Sequence, residues 1–412
     1  MKINDTSEPG RELNSTTQTD YELLFLQTIG MAAVVLGHYN SISTALNNVF
    51  TYFSWHMPLF MFISGILFCR KLSSRGFLQT ITVKIRKLLL PALFVNLCYG
   101  IIGMLMKNQG LLKYVHDLSL RTLLIDPFLD GYQFGIDIAL WFIFQLFIIE
   151  ILFNVLARLP GRFTDIAVTG IFFLAAVWTS RYSIGYGKNV TGLLLLLLRT
   201  GYMSFFFSLG ITYEKHLRRL LQGIGKPLTW AAAVLLVQWI LLCVTGINPY
   251  YNTRKFEFKY YTIDSYFLPP VFSCLAILFL LLCTGYLRPY LSQSKMLRFI
   301  GPHLKSVVYH HQLMGILLNC TALLFSCIGL SALVPSFDFS KFQTNRWYLF
   351  PWGNASIGKL IYFAIPFLIP ILYYRLLGRI RDRRIRLLYR FLAFILVLAY
   401  ILIVGTVYRH TL

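Results

Sequence analysis

Eleven long apolar runs, each about the length a helix needs to cross hydrocarbon, leave this chain little choice of fold. A span takes about 20 residues at about 1.5 Å rise each. A helix is favoured there because it satisfies its own backbone groups where no water is present. The runs lie at roughly 22–39, 50–69, 88–106, 138–157, 164–180, 190–213, 228–246, 265–287, 302–332, 356–377 and 387–408. The run at 302–332 is too long for one straight helix, so a kink or a re-entrant piece is expected. Only 13% of the residues are charged and 57% are hydrophobic, about half the charge of a soluble domain. The expected fold is an all-α polytopic transmembrane bundle of ten to eleven spans.

Loop charges orient it. The net charge is +22, which on a soluble protein would raise nucleic acid as a partner. Here the basic residues fill short gaps between apolar runs, so no nucleic-acid partner is expected and membrane lipids surround the chain. With a cytoplasmic N-terminus, the inner segments hold 24 Lys and Arg and the outer ones eleven, as the positive-inside rule requires. Residues 1–20 are polar, lack a signal peptide, and read as a disordered cytoplasmic lead before a membrane domain at 21–408. The outer loops near 107–137, 247–264 and 333–355 are longer and rich in Tyr, Phe, Asn and Asp. They suit a lid, a glycan-binding rim or an interfacial aromatic belt. The seven cysteines form an odd, unpatterned set, which argues against a disulfide framework or a zinc site.

Ionisable groups inside a membrane are costly and therefore candidates for function. His38 ends the first span and His56 opens the second, both toward the outer side. Gln27 lies eleven residues before His38, on the same helix face about 16 Å away. Lys305, His310 and His311 fall in the ninth run. The last two differ by about 100° around the axis, so only one readily faces His38. Glu150 and Arg199 sit inside the fourth and sixth runs, where they can pair with each other or with a ligand. Each of these groups also has a purely structural reading, a bundle hydrogen bond or a snorkelling side chain. Imidazole titrates near neutrality and can take a proton from a sugar hydroxyl as that oxygen attacks a thioester. Neither G-x-S-x-G nor H-x-x-x-x-D occurs in the chain.

Several ordered motifs carry a resemblance. The first span, Leu26-Gln27-Thr28 through Gly37-His38, is similar to an R-x10-H helix. His56 and Pro58-Leu59-Phe60-Met61-Phe62-Ile63-Ser64-Gly65 resemble a PLFFFISG second span. Lys84-Ile85-Arg86-Lys87 before Pro91 looks like a basic segment ahead of a proline. Leu140-Trp141-Phe142, Phe205-Phe206-Phe207-Ser208-Leu209-Gly210, and Ile300-Gly301 followed by His311 complete the set. Together they resemble acyltransferase family 3, membrane O-acyltransferases of lipopolysaccharide O-antigen, exopolysaccharide and capsule.

The resemblance implies a bacterial inner-membrane enzyme with no bound cofactor. It would use acetyl-CoA or another acyl-CoA as co-substrate and a lipid-linked or polymeric glycan as acceptor. His38 and His311 are the implied catalytic residues. Gln27, His56, Lys84, Arg86, Lys87, Trp141, Glu150, Arg199 and Lys305 are the implied substrate or acyl-CoA contacts. Lys84, Arg86 and Lys87 equally fit plain positive-inside topology. Ser64 and Gly65 suit close helix packing. The family arginine of R-x10-H falls on Gln27, so Arg199 or Lys305 is expected to stand in, or activity is weakened. A glycan or lipid transporter, and a catalytically degenerate relative, stay open as alternatives.

Overall fold

The computed structural model describes residues 20–39, 48–72, 76–131, 134–136, 139–158, 165–186, 190–335, 337–352 and 355–411. Apart from Asp20, the polar lead lies outside the described residues. Ten described helices are long and apolar enough to cross a membrane. They are α1 (Tyr21–His38), α2 (Tyr52–Lys71), α3 (Phe77–Asn108), α5 (Asp165–Tyr186), α6 (Gly192–Gln222), α7 (Pro227–Thr245), α8 (Ile263–Leu291), α9 (Lys295–Cys327), α10 (Ser356–Arg379) and α11 (Arg383–Thr411). The fourth run forms α4 (Trp141–Leu156), an apolar helix of 16 residues. At 1.5 Å per residue it falls short of a hydrocarbon core of about 30 Å, so it is an incomplete span. The ninth run is shorter than expected and not kinked within: it forms one helix segment, Leu304–Cys327, preceded by a 3₁₀ turn at Gly301–His303 that joins it to Lys295–Ile300.

Burial separates centre from periphery. Of their apolar windows, α2 and α6 bury 67% and 61%, whereas α7 and α11 bury 11% each. The outer helices therefore turn Leu, Val, Ile and Trp outward, as helices in lipid do. The central pair meets backbone to backbone. A Cβ on Gly65 would lie 2.0 Å from the Phe207 carbonyl oxygen, and one on Gly210 2.0 Å from that of Phe62. Small residues at a helix crossing permit this approach where no hydrophobic effect drives association. α1 packs against α2, α8, α9 and α10 and so joins the two sides of the bundle.

The basic face is tied by one ion network. Asp20 caps α1, accepting from the Leu23 N–H at 3.1 Å. Its carboxylate also meets Arg70 of α2 at 2.9 Å and Arg218 of α6 at 2.8 Å. Glu214 binds the same two arginines at 2.7 and 3.0 Å, and Glu22 pairs with Arg288 of α8. The start of α1 and the ends of α2, α6 and α8 thus share one face, as the loop charges require. Burial pushes the Asp20 carboxyl up, but the Leu23 N–H and the Arg218 and Arg70 guanidinium groups hold it below the ordinary carboxylate range.

Two outcomes follow for stability. Gly65→Val or Gly210→Val forces α2 and α6 apart and should cost about 1–3 kcal/mol. Apparent melting in detergent is the readout, and the double variant should lose less than the sum because one contact is broken twice. Asp20→Asn keeps a capping side chain but removes the charge. Since the folded carboxyl titrates below its unfolded value, its stabilisation is full above that value and vanishes as pH falls through the lower one. The melting difference between wild type and Asp20→Asn should shrink on acidification over that window.

Candidate active site

Polar residues at the outer end of α1 fix it against α9. Tyr39 donates its hydroxyl to the His311 carbonyl at 2.6 Å, and the Gln312 amide meets His38 Nδ1 at 2.8 Å. Two successive residues of α1 thus grip two successive residues of α9. The Tyr39 ring fits because position 315 is glycine, where a Cβ would lie 2.3 Å from the hydroxyl oxygen. The clasp brings the His38 and His311 rings edge to face, centroids 5.1 Å apart. Trp347 packs on His38 from the loop before α10, at 5.6 Å.

The nitrogens are sorted by these bonds. His311 is fully buried, and its Nδ1–H donates to the Val307 carbonyl at 2.7 Å. Its Nε2 therefore bears the lone pair and has no hydrogen-bond partner among the described residues. His56 is buried as well, and its Nδ1–H donates to the Tyr52 carbonyl, leaving Nε2 as its basic nitrogen. On His38, Nδ1 accepts from the Gln312 amide N–H at 2.8 Å, and the ring lines the cavity.

That cavity is about 440 Å³ and opens beside the outer ends of α1 and α2. His38, His56, Phe53, Trp141, Trp347 and Arg254 are among its walls. Met31, Val34 and His38 line it from α1. Gln27 precedes them on the same helical stripe, half-buried and deeper in the bundle. His310 points elsewhere: its ring nitrogens meet Tyr99 of α3 at 2.8 Å and Tyr374 of α10 at 3.2 Å. Of the adjacent pair, His311 is the one beside His38.

Arg199 and Glu150 do not pair. Glu150 bonds Lys84, and its second carboxylate oxygen is buried without a partner among the described residues. Arg199 is 1% exposed and spends its donors on carbonyls, those of Arg254 at 3.0 Å, Phe128 at 3.0 Å and Leu129 at 2.8 Å. Its guanidinium lies over Trp141, 5.5 Å from the ring centroid. It thus braces two backbone segments and one cavity wall, and does not take the place of an arginine at Gln27. Lys305 is exposed and donates to the Lys87 carbonyl at 3.0 Å, beside exposed Arg86 and Lys87. This cluster sits where α3 makes a π-turn at Ile85–Leu89. α1 and α9 run parallel, with Gly301 against Leu24 and His311 against His38, so Lys305 comes level with Gln27.

Parts of two outer loops line the cavity. Asn252 and Glu257 pair as a small hairpin, with N–H to carbonyl distances of 2.8 and 3.0 Å. Tyr251 and Phe256 are fully buried beneath it. Trp347 and Leu349 come from the 333–352 loop, where Asn319 of α9 donates to the Tyr348 carbonyl at 2.9 Å. Gln312, Tyr39 and the hairpin were not singled out from the sequence. Gln312 and Asn319, two turns apart on an apolar helix, were the available signal.

No curated protein and no solved structure matches the chain. The acyltransferase domain of one family does, over residues 20–307. The match takes in His38, His56, Trp141, Arg199 and Lys305 and stops four residues before His311. By that match over most of its length, the chain belongs to acyltransferase family 3 and is a multi-pass membrane acyltransferase.

Proposed function

We propose that the protein is a bacterial inner-membrane O-acyltransferase. It moves an acyl group, acetyl by preference, from cytoplasmic acyl-CoA to a hydroxyl of a lipid-linked or surface glycan, with His38 as general base. The observation that carries this reading is the His38 imidazole, held in orientation by Gln312 and turned into an outer cavity of about 440 Å³. Trp141, Trp347 and Phe53 around it offer flat apolar faces, which suit the C–H faces of a sugar ring.

The chemistry needs one proton relay. In the structure the Gln312 Nε2 amide donates to Nδ1; the base form is reached when that amide turns over, so that its oxygen accepts from Nδ1–H and His38 Nε2 carries the lone pair. It takes the proton of the sugar hydroxyl while that oxygen bonds to the thioester carbonyl carbon. The carbon–sulfur bond then breaks, and the departing thiolate receives the proton from the imidazolium. The products are the ester and free CoA thiol. His311 stands behind His38 and acts as a positioning residue, as does Arg199 through Trp141. His56 Nε2 serves as an acceptor for a second substrate hydroxyl.

The donor is read as entering from the basic face. Arg86, Lys87 and Lys305 are exposed together there, where cations suit CoA phosphates. Lys84 is occupied by Glu150 and serves instead to hold α3 to α4. The path to His38 follows the α1 stripe through Gln27, Met31 and Val34. Lys305 supplies a cation at the depth where the family has its arginine.

His38→Ala should abolish glycan acylation, with at least a 10²-fold loss in rate, roughly the lower bound for a general base. The protein should still accumulate in the membrane. NMR of surface glycan from deleted and complemented cells reads this, and retained ester would exclude His38 as the base. For the donor path, Lys305→Ala should raise the acyl-CoA KM about tenfold, the loss of roughly one charge-assisted contact, with kcat little changed. Gln27→Arg should restore that variant and raise wild-type turnover. No response to either change would place the donor elsewhere, and no acylation by any form would favour a degenerate, binding-only relative.

A further inference from the structure

A second recess opens on the outer side, beside the cavity that holds His38. It is about 470 Å³, and Asn48, Thr51, Asn248, Tyr250 and Tyr260 are among its walls. Bonds made beneath it fix its two sides. The Gln238 amide of α7 donates to the Val49 carbonyl at 3.0 Å, and the Trp55 indole N–H donates to the Phe50 carbonyl at 3.1 Å. These hold residues 48–51, ahead of α2, against the outer half of α7. On the other side, fully buried Tyr251 donates its hydroxyl to the Ser54 carbonyl at 2.8 Å, which fixes the adjacent Tyr250.

The recess continues the His38 cavity. Tyr250 lines both. Its ring meets Phe53, a wall of the first cavity, edge to face with centroids 5.0 Å apart, and Tyr260, a wall of the second, at 6.0 Å. Phe53 in turn meets His56 at 5.6 Å. A row of four rings in pairwise contact therefore runs from the imidazoles into the recess. Neutral polar groups stand beside the rings. Asn248 Oδ1 accepts from the Tyr250 N–H at 3.0 Å, which leaves the Asn248 NH₂ donors to an incoming group, and Asn48 brings a second amide. None of the described lining residues is charged. Lys259 packs over the Tyr260 ring with Nζ 5.2 Å from its centroid, and Tyr260 stays 43% exposed. The recess and the cavity are both of the size that small-molecule sites have, about 300–1,000 Å³. Aromatic faces edged with neutral hydrogen-bonding groups are complementary to a sugar ring, which offers C–H faces and a rim of hydroxyls.

We propose that the recess is a subsite for the sugar next to the one being acylated, so that the acceptor glycan is recognised over at least two units. The unit to be acylated occupies the His38 cavity, the glycosidic link passes Tyr250, and the neighbouring unit packs against Tyr260 with hydroxyls on Asn48 and Asn248. The inference rests on the glycan reading above and adds that a single sugar is an incomplete acceptor.

Equilibrium binding to the full-length protein in nanodiscs tests this. The probes are surface glycan from cells lacking the gene, radiolabelled during growth, partly hydrolysed and sorted by length into one-sugar and two-sugar pools. The two-sugar pool should bind about tenfold tighter, the scale of one aromatic face plus one hydrogen bond. The gap should persist at high salt, since no charged side chain lines the described recess and salt screens only charges. Tyr260→Ala should bring the pools within about threefold of each other, at an unchanged melting temperature because the ring is 43% exposed. Equal binding of the two pools, a gap that survives Tyr260→Ala, or a gap that salt abolishes overturns the subsite. Binding by neither pool would instead overturn the glycan reading beneath it.

Discussion

A polar group inside hydrocarbon has no water to turn to, and its partner must come from another part of the protein. That constraint shapes the whole bundle. Gln145 of α4 finds Thr200 of α6 at 2.8 Å, and Gln238 of α7 finds the Val49 carbonyl at 3.0 Å. Tyr99 of α3 reaches the Tyr309 carbonyl of α9 at 2.6 Å, and Tyr362 of α10 reaches Asn319 of α9 at 2.5 Å. Each such bond marks a place where two helices, or a helix and a loop, are pinned in one register. The Tyr39–His311 and His38–Gln312 pair is the same device at the outer end of α1, and there it also aims an imidazole.

The surrounding apolar packing is permissive, because lipid tails compete with side chains for the same contacts. Specificity therefore rests on close backbone approach at Gly65 and Gly210 and on the polar pins. Charge is handled differently at the two faces. On the basic face, three acids and three arginines close a network that gathers helix ends. On the opposite face the hairpin carries Arg254 and Lys255, the latter 3.7 Å from Glu257.

Much of this was legible in the residues. Apolar runs marked the ten described spans and α4, because spanning length follows from the thickness of hydrocarbon. Loop charge ordered them, and the basic-face network agrees with that order. The stripe from Gln27 to His38, and the rule that only one of His310 and His311 can face it, followed from helical periodicity; the resemblance singled out His311, and the small size of Gly65 gave its packing role. Arg199 and Glu150 were less readable. A buried charge announces that it needs partners, but the partners of Arg199 are three carbonyls from two distant segments, and carbonyls leave no mark in a sequence. Gln312 was overlooked because a polar residue beside a histidine carries no distinguishing signal until the facing helix is known.

Sequence alone located the apolar helices and gave their expected direction, since these depend on local hydropathy and on the charge of short loops, but not that the fourth is only 16 residues long. It also determined which polar groups would have to be accommodated inside. Only the tertiary structure decided which of them meet: His38 with Gln312 and His311, Glu150 with Lys84, Arg199 with the hairpin that carries Arg254. Those pairings join residues scores to hundreds of positions apart, and they arise from the rotation and depth of each helix against its neighbours, which hydropathy does not encode.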